Sequence, residues 1–244
     1  MKINKEHIQN TNTSILEDHN DNFDFLVNKL TKNSHKVEEI ISKLSEFQVA
    51  IPSWALGAGG TRFGRFSFYG EPSTLEQKLE DVGVLHALTQ TAGAVSLHIP
   101  WDIPQDYAAV KQQADALNIK FDSVNSNTFQ DQKNAKESYK YGSLSNTSQA
   151  VREQAIAHNL DVINIGNKLG SKSLTVWLAD GSCFPGQNNF QTAFDRSCNT
   201  YHSIPISHLT EILLLVSHQC HKEKTPSRYR ELLNDFCNRC HQLV

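Results

Sequence analysis

Ala94-Val-Ser-Leu-His-Ile-Pro-Trp-Asp102 is the stretch on which the reading of the fold turns. Six residues, Ala94 to Ile99, read as a short buried strand. A histidine, a proline, a tryptophan and an aspartate then crowd its C-terminal end. Working outward, Val49 to Trp54 reads as a strand upstream, and Ile119 to Val124 and Ser173 to Leu178 as two more downstream. Helical patterns fill the gaps. Ser73 and Glu76 stand in capping-box spacing before a helix whose buried stripe is Leu75, Leu79, Val82 and Leu88. Tyr107, Val110, Ala114 and Leu117 mark a second, short helix. Thr147 starts a third, long one carrying Val151, Ala155, Leu160 and Ile163, which ends at Gly170, the residue expected just past a helix.

Strand and helix alternating four times imply parallel strands joined by crossover helices. Doubly wound sheets and barrels both satisfy that rhythm. The positions of the chemically capable residues favour a barrel: Trp54, His98 and Trp177 fall in, or at the C-terminal end of, three different strands. Barrel active sites are assembled at that end, from several strands at once.

The expected architecture is therefore α/β, a partial (β/α)8 TIM barrel of about four βα units. Its boundaries divide the chain into an N-terminal arm (1–47), the first half of a barrel (48–196) and a divergent tail (197–244). Residues 1–19 read as frayed. In the arm, Val37, Ile40, Ile41, Leu44 and Phe47 recur at helical spacing, with Asn33 or Ser34 as cap. The tail holds Cys198, Cys220, Cys237 and Cys240 among five histidines, has no glycine, and reads as helical. Half a barrel leaves strand edges and inner faces uncovered, so low stability is expected unless two copies or the tail close the opening.

Composition narrows the function classes. The 244 residues are 39% hydrophobic and 20% charged with a net charge of -3, ordinary for a globular chain. No basic balance calls for nucleic acid. The longest aliphatic run, Ile212 to Val216, is too short to span a bilayer. Without an export signal the five cysteines read as free thiols, and the expected location is the cytoplasm.

Three features invite a chemical reading. Gly57-Ala-Gly-Gly-Thr-Arg-Phe-Gly64 suggests a phosphate loop. A dinucleotide fingerprint needs glycine where Arg62 stands, however, and a P-loop needs Gly-Lys-Ser/Thr where Gly64-Arg65-Phe66 stands. Cys237-Asn-Arg-Cys240-His241 is spelled like a haem-attachment motif, and Cys220, His221, Cys237 and Cys240 have the ligand types of tetrahedral zinc. In so cysteine-rich a tail, an accidental match accounts for both. His98 carries more. Histidine moves protons near neutral pH, Asp102 is available to hold its tautomer, and Trp54, Trp101, Phe129 and Trp177 lie on neighbouring segments. Flat apolar faces beside a few polar groups suit the C–H faces and hydroxyls of a sugar.

The strings VAIPSWALGAGGTRFGRF, KLEDVGV, VSLHIPWD, FDSVNSNTFQDQ, YKYGSL, LGSKSLTVWLADGSCFPGQNNF and AFDR, in order from Val49 to Arg196, resemble the broad-specificity, metal-dependent L-rhamnose isomerases of the xylose isomerase-like barrels. The resemblance implies aldose–ketose interconversion, L-rhamnose with L-rhamnulose, in a homo-oligomer. His98 would contact the sugar, and Trp54, Phe129 and Trp177 would wall the pocket beside Trp101. Phe63 would be offered to a neighbouring subunit. The family's divalent metal, typically manganese, polarises the two reacting oxygens. Its ligands belong to later strands than those resembled here, so a truncated or frame-shifted chain without the metal ligands is expected. A non-catalytic sugar-binding fragment and a tail-centred metal module are the alternatives.

Overall fold

The computed structural model describes residues 5–57, 70–178, 180, 188–202 and 211–216. Three helices come first: α1 (Lys5–Ser14), α2 (Leu16–Lys32) and α3 (Val37–Glu46). Strand β1 (Ala50–Pro52) follows, then a 3-10 turn (Ser53–Ala55), α4 (Leu75–Thr89), β2 (Ala94–Ile99), α5 (Tyr107–Ala116), β3 (Lys120–Thr128), α6 (Gln149–Leu169), β4 (Ser173–Leu178), α7 (Phe190–His202) and β5 (Glu211–Val216). Hydrogen-bonded neighbours in the sheet follow chain order, β1-β2-β3-β4-β5. A doubly wound sheet would reverse its order at a switch point. This one does not, and the α/β fold is a partial TIM barrel whose βα units are β1-α4, β2-α5, β3-α6 and β4-α7.

The chain forms two compact units, Met1–Ser96 with Pro104–Lys120, and Leu97–Ile103 with Phe121–Val244. In the first, Ala50, Ile51 and Pro52 pair in parallel with Ala94, Val95 and Ser96. Leu75, Leu79 and Val82 are buried along α4 as expected. Leu88 is not: it is 42% exposed, because it lies beyond the part of the helix that packs. The helix also starts one residue later than its capping spacing suggests. Thr74 is the N-cap and accepts the Gln77 N–H, while the Gln77 side chain accepts from the Ser73 N–H. Gly83 lets α5's end approach closely, since a Cβ there would stand 2.8 Å from Leu117 Cδ2.

The arm departs from expectation in two ways. Residues 5–14, read as frayed, form α1, and neither α2 nor α3 has a buried residue. Asn33 caps the end of α2 rather than the start of α3, whose N-cap is Lys36.

In the second unit, Ser123–Thr128 of β3 pair in parallel with Ser173–Leu178 of β4, and those with Glu211–Val216 of β5. α6 buries Val151, Ala155, Val162, Ile163 and Leu169. Its N-cap is Ser148, not Thr147, and Gly170 ends it in the left-handed conformation that glycine adopts without penalty (φ 84). Gly166 permits close packing on β3, with Val124 Cγ2 2.9 Å from where a Cβ would stand.

Two corrections concern the sheet. β3 does not stop at Val124 but continues through Asn125-Ser-Asn-Thr128. The tail, read as helical, contributes β5, and α7 runs unbroken across residues 196 and 197. An aliphatic run of strand length beside β4 completes a backbone ladder, which outweighs the helix-competent sequence around it.

Candidate functional site

The C-terminal ends of β2, β3 and β4 converge in the second unit. His98, penultimate in β2, is 3% exposed. A turn containing the cis Ile99–Pro100 bond brings Asp102 back onto the strand. Asp102 Oδ2 accepts the His98 main-chain N–H at 2.8 Å, and the Asp102 N–H donates to the His98 carbonyl at 3.0 Å. These two bonds fix the backbone that carries the ring.

The ring itself sits in an aromatic row. Trp101 lies 4.1 Å from it between centroids, tilted by 32°, and Phe129 lies 5.7 Å away at 58°. Phe129 in turn is 5.9 Å from Trp177 at 55°. Tilted pairs at these separations are the favoured aromatic geometry. Four of the residues picked out in the sequence, His98, Trp101, Phe129 and Trp177, are thus brought together. Trp54 is half-buried in the turn after β1, in the first unit. Phe63, Cys220, His221, Cys237 and Cys240 lie outside the described residues.

Beneath the row is a polar layer that the sequence did not announce. Alternation along β3 places Ser123, Asn125 and Asn127 on one face. Ser123 Oγ and Thr175 Oγ1 are 2.5 Å apart. Asn125 donates from Nδ2 to the Leu97 carbonyl at 2.7 Å, while its Oδ1 accepts the Trp177 indole N–H at 3.3 Å. Thr128 Oγ1 donates to the Trp177 carbonyl. Asn125 therefore ties the β2 main chain to the β4 tryptophan, and Trp177 is held at both its ring and its backbone.

Two further residues support the strand ends. His158 of α6 accepts the Asn127 N–H at Nε2, 3.0 Å away. Burial pushes its pKa below the ordinary imidazole value, although the charge of Asp161 and a hydrogen bond to the Ile99 backbone pull it back up. A neutral ring with Nε2 accepting carries its proton on Nδ1. Asp180, just past β4, receives the Ser143 N–H, the Ser143 hydroxyl and the Ser145 N–H, each at 2.7 Å. This clamps the loop at Gly142, whose φ of 103 suits glycine. From α7, Arg196 Nε donates to the Ser145 carbonyl and Thr200 Oγ1 to the Leu144 carbonyl.

Among the described residues, no three His, Cys, Asp or Glu side chains come together to hold a metal ion. None of the described helices is long and apolar enough to cross a membrane.

No family model matches the chain. It is 49% identical over 174 residues to a probable sugar isomerase of Rhizobium meliloti (strain 1021), an alignment covering 71% of this chain and 40% of that protein. It is 41% identical over 234 residues to a probable sugar isomerase of Mesorhizobium japonicum (strain LMG 29417 / CECT 9101 / MAFF 303099), covering 96% and 54% respectively. The second alignment extends well past Arg196, where the likeness was expected to stop. The chain thus spans about half the length of these relatives. Among solved structures, D-psicose 3-epimerase with D-tagatose from Clostridium cellulolyticum H10 aligns with a TM-score of 0.38 at 14% identity, covering 53% of this chain and 41% of that one. L-ribulose 3-epimerase aligns with a TM-score of 0.42 at 13% identity, covering 65% and 44%.

Proposed function

We propose that this chain carries the sugar-holding part of an aldose–ketose isomerase acting on L-rhamnose and related sugars. The observation that carries the reading is the row Trp101–His98–Phe129–Trp177 at the C-terminal ends of the strands, set over a hydrogen-bonded polar layer. The tilted aromatic faces suit the C–H face of a sugar, and the imidazole is the row's one group able to donate or accept a proton near neutral pH. The names of the two sugar isomerase relatives point to the same substrate class. Manganese, and assembly with further copies in which Phe63 reaches a neighbouring pocket, belong to the proposal on the strength of the family resemblance alone. The described residues offer no donor set for the metal, so no step is routed through it.

Within the described residues the division of labour is binding and orientation. Trp101 and Phe129 flank the imidazole, Asn125 fixes the indole of Trp177, and Asp102 fixes the turn from which His98 and Trp101 project. A second reading is a sugar-binding chain without turnover. It is favoured by the aromatic row being built wholly from residues 98–177.

The test is conversion of L-rhamnose to L-rhamnulose by the full chain, with and without manganese, beside a direct L-rhamnose binding measurement. Manganese-dependent turnover supports the isomerase and places the metal ligands outside the described residues. Binding without turnover supports the second reading. Neither binding nor turnover by folded protein overturns both.

A further inference from the structure

Asn127 is fully buried, at 0% exposure, yet neither its Oδ1 nor its Nδ2 has a hydrogen-bond partner among the described residues. An amide offers two donor hydrogens and an acceptor oxygen, and burying both ends unmet opposes folding. Its backbone, by contrast, is fully engaged. The N–H donates to His158 Nε2 at 3.0 Å, and the carbonyl accepts from Gln132 Nε2 at 3.3 Å. The main chain is thus secured without using the side chain.

The amide also has a telling position. Asn127 shares its strand face with Asn125, stands in register with Trp177, and precedes Phe129 by two residues. The idle amide therefore lies on the face that bears the aromatic row, at the C-terminal end of its strand. Buried polar groups left unmet in a native chain call for an explanation, and an absent ligand at a site is one of the few available.

We propose that Asn127 is a further sugar-recognition residue, whose amide donates to one sugar hydroxyl and accepts from a neighbouring one. The inference rests on the sugar-site reading and adds a specificity element to it: aromatic faces grip any sugar, whereas a donor–acceptor pair selects one with two adjacent hydroxyls in reach. Because the amide is covered in the ligand-free chain, the covering side chains must part before it is reached. Association is then slower than the ordinary docking range.

The test uses the full chain and Asn127→Leu, which keeps the volume and removes both polar ends. L-Rhamnose affinity is measured by titration calorimetry and stability by thermal unfolding. The expected result is a roughly tenfold weaker Kd, equivalent to about 1.4 kcal/mol, with a Tm equal to or above that of the parent. An unchanged Kd overturns the inference and leaves the sugar site standing. A Tm that falls along with affinity also overturns it, since the amide is then structural. If the parent itself binds no L-rhamnose, the sugar-site reading fails and takes the inference with it. Should Asn127→Leu not fold, Asn127→Ala is judged by the same two measurements.

Discussion

The same substitution two residues earlier should have the opposite effect on stability. Asn125→Leu removes a side chain whose two polar ends are both in use. The carbonyl of Leu97, itself wholly buried, loses a 2.7 Å bond. A buried acceptor left short costs about 1–3 kcal/mol. The Trp177 indole loses a longer bond, 3.3 Å, at a half-buried ring, for which about 0.5–1 kcal/mol is appropriate. Leucine fills the space, so no cavity penalty is added. The expected loss is about 2–3 kcal/mol, or a Tm lower by roughly 5–10 °C for a chain of this size. Urea unfolding followed by fluorescence gives the free energy, and the Trp177 indole signal in a 1H–15N spectrum reports whether the ring has lost its acceptor. If Asn125→Leu leaves both stability and the indole signal unchanged, the polar layer is not the support described here. The contrast with Asn127→Leu would then lose its meaning.

Three further outcomes follow from the same geometry. Gly166→Ala gains about 1 kcal/mol in helix propensity but sets a methyl 2.9 Å from the stiff Val124 side chain, so overpacking of about 1–3 kcal/mol prevails; chemical denaturation should show net destabilisation. His158 has a folded pKa below its ordinary value of 6.5, so the unfolded chain binds the proton more readily. Its stabilising contribution is present above pH 6.5 and is lost as pH falls from there toward the lowered folded value. Unfolding measured against pH should show that loss in the wild type and not in His158→Gln, which keeps an acceptor for the Asn127 N–H but does not titrate. Asp180→Ala frees the Ser143 and Ser145 donors, at a cost of about 2–3 kcal/mol, and hydrogen exchange should accelerate at residues 142–146 rather than across the sheet.

What the sequence disclosed, and what it withheld, divides along physical lines. Elements that bury apolar stripes were legible because periodicity records burial: the four βα units and the glycine that ends α6 all follow from it. Helix starts slipped by a residue at Thr74 and Ser148, where several adjacent Ser and Thr compete for one cap. The aromatic row was legible too, since Trp and His at strand ends are conspicuous. Asn125, Asn127, His158 and Asp180 were not. Apart from the Gln132 side chain on the Asn127 carbonyl, their partners are main-chain atoms or side chains at least 28 residues away, Asn125–Leu97 at 28 and Asn125–Trp177 at 52 among them, and no local pattern encodes such pairing. The expected strand ended at Val124, before the polar run Asn125-Ser-Asn-Thr128, because strand signals presume a buried apolar face. It is a strand because it pairs in register with Thr175–Leu178 of β4. β5 was missed for a different reason, its aliphatic run being read within a tail of unfamiliar composition.

That polar face carries its own direction. At the level of Ser123, the hydroxyl is paired with Thr175 of the neighbouring strand. One step further toward the C-terminal ends, Asn125 spends both ends of its amide, but on the β2 main chain and on an indole rather than on another polar side chain. At Asn127 pairing stops, although the residue is as buried as the others. A layer serving only to support the fold would be expected to satisfy itself throughout, since each unmet group weakens a marginal balance. Along this face, among the described residues, self-sufficiency fails at the C-terminal end, as the proposed role of Asn127 in holding a sugar requires. In a (β/α)8 topology that end is where substrates enter. The gradient of hydrogen bonding along β3 thus supports the proposed sugar site by an observation that uses no likeness to other proteins.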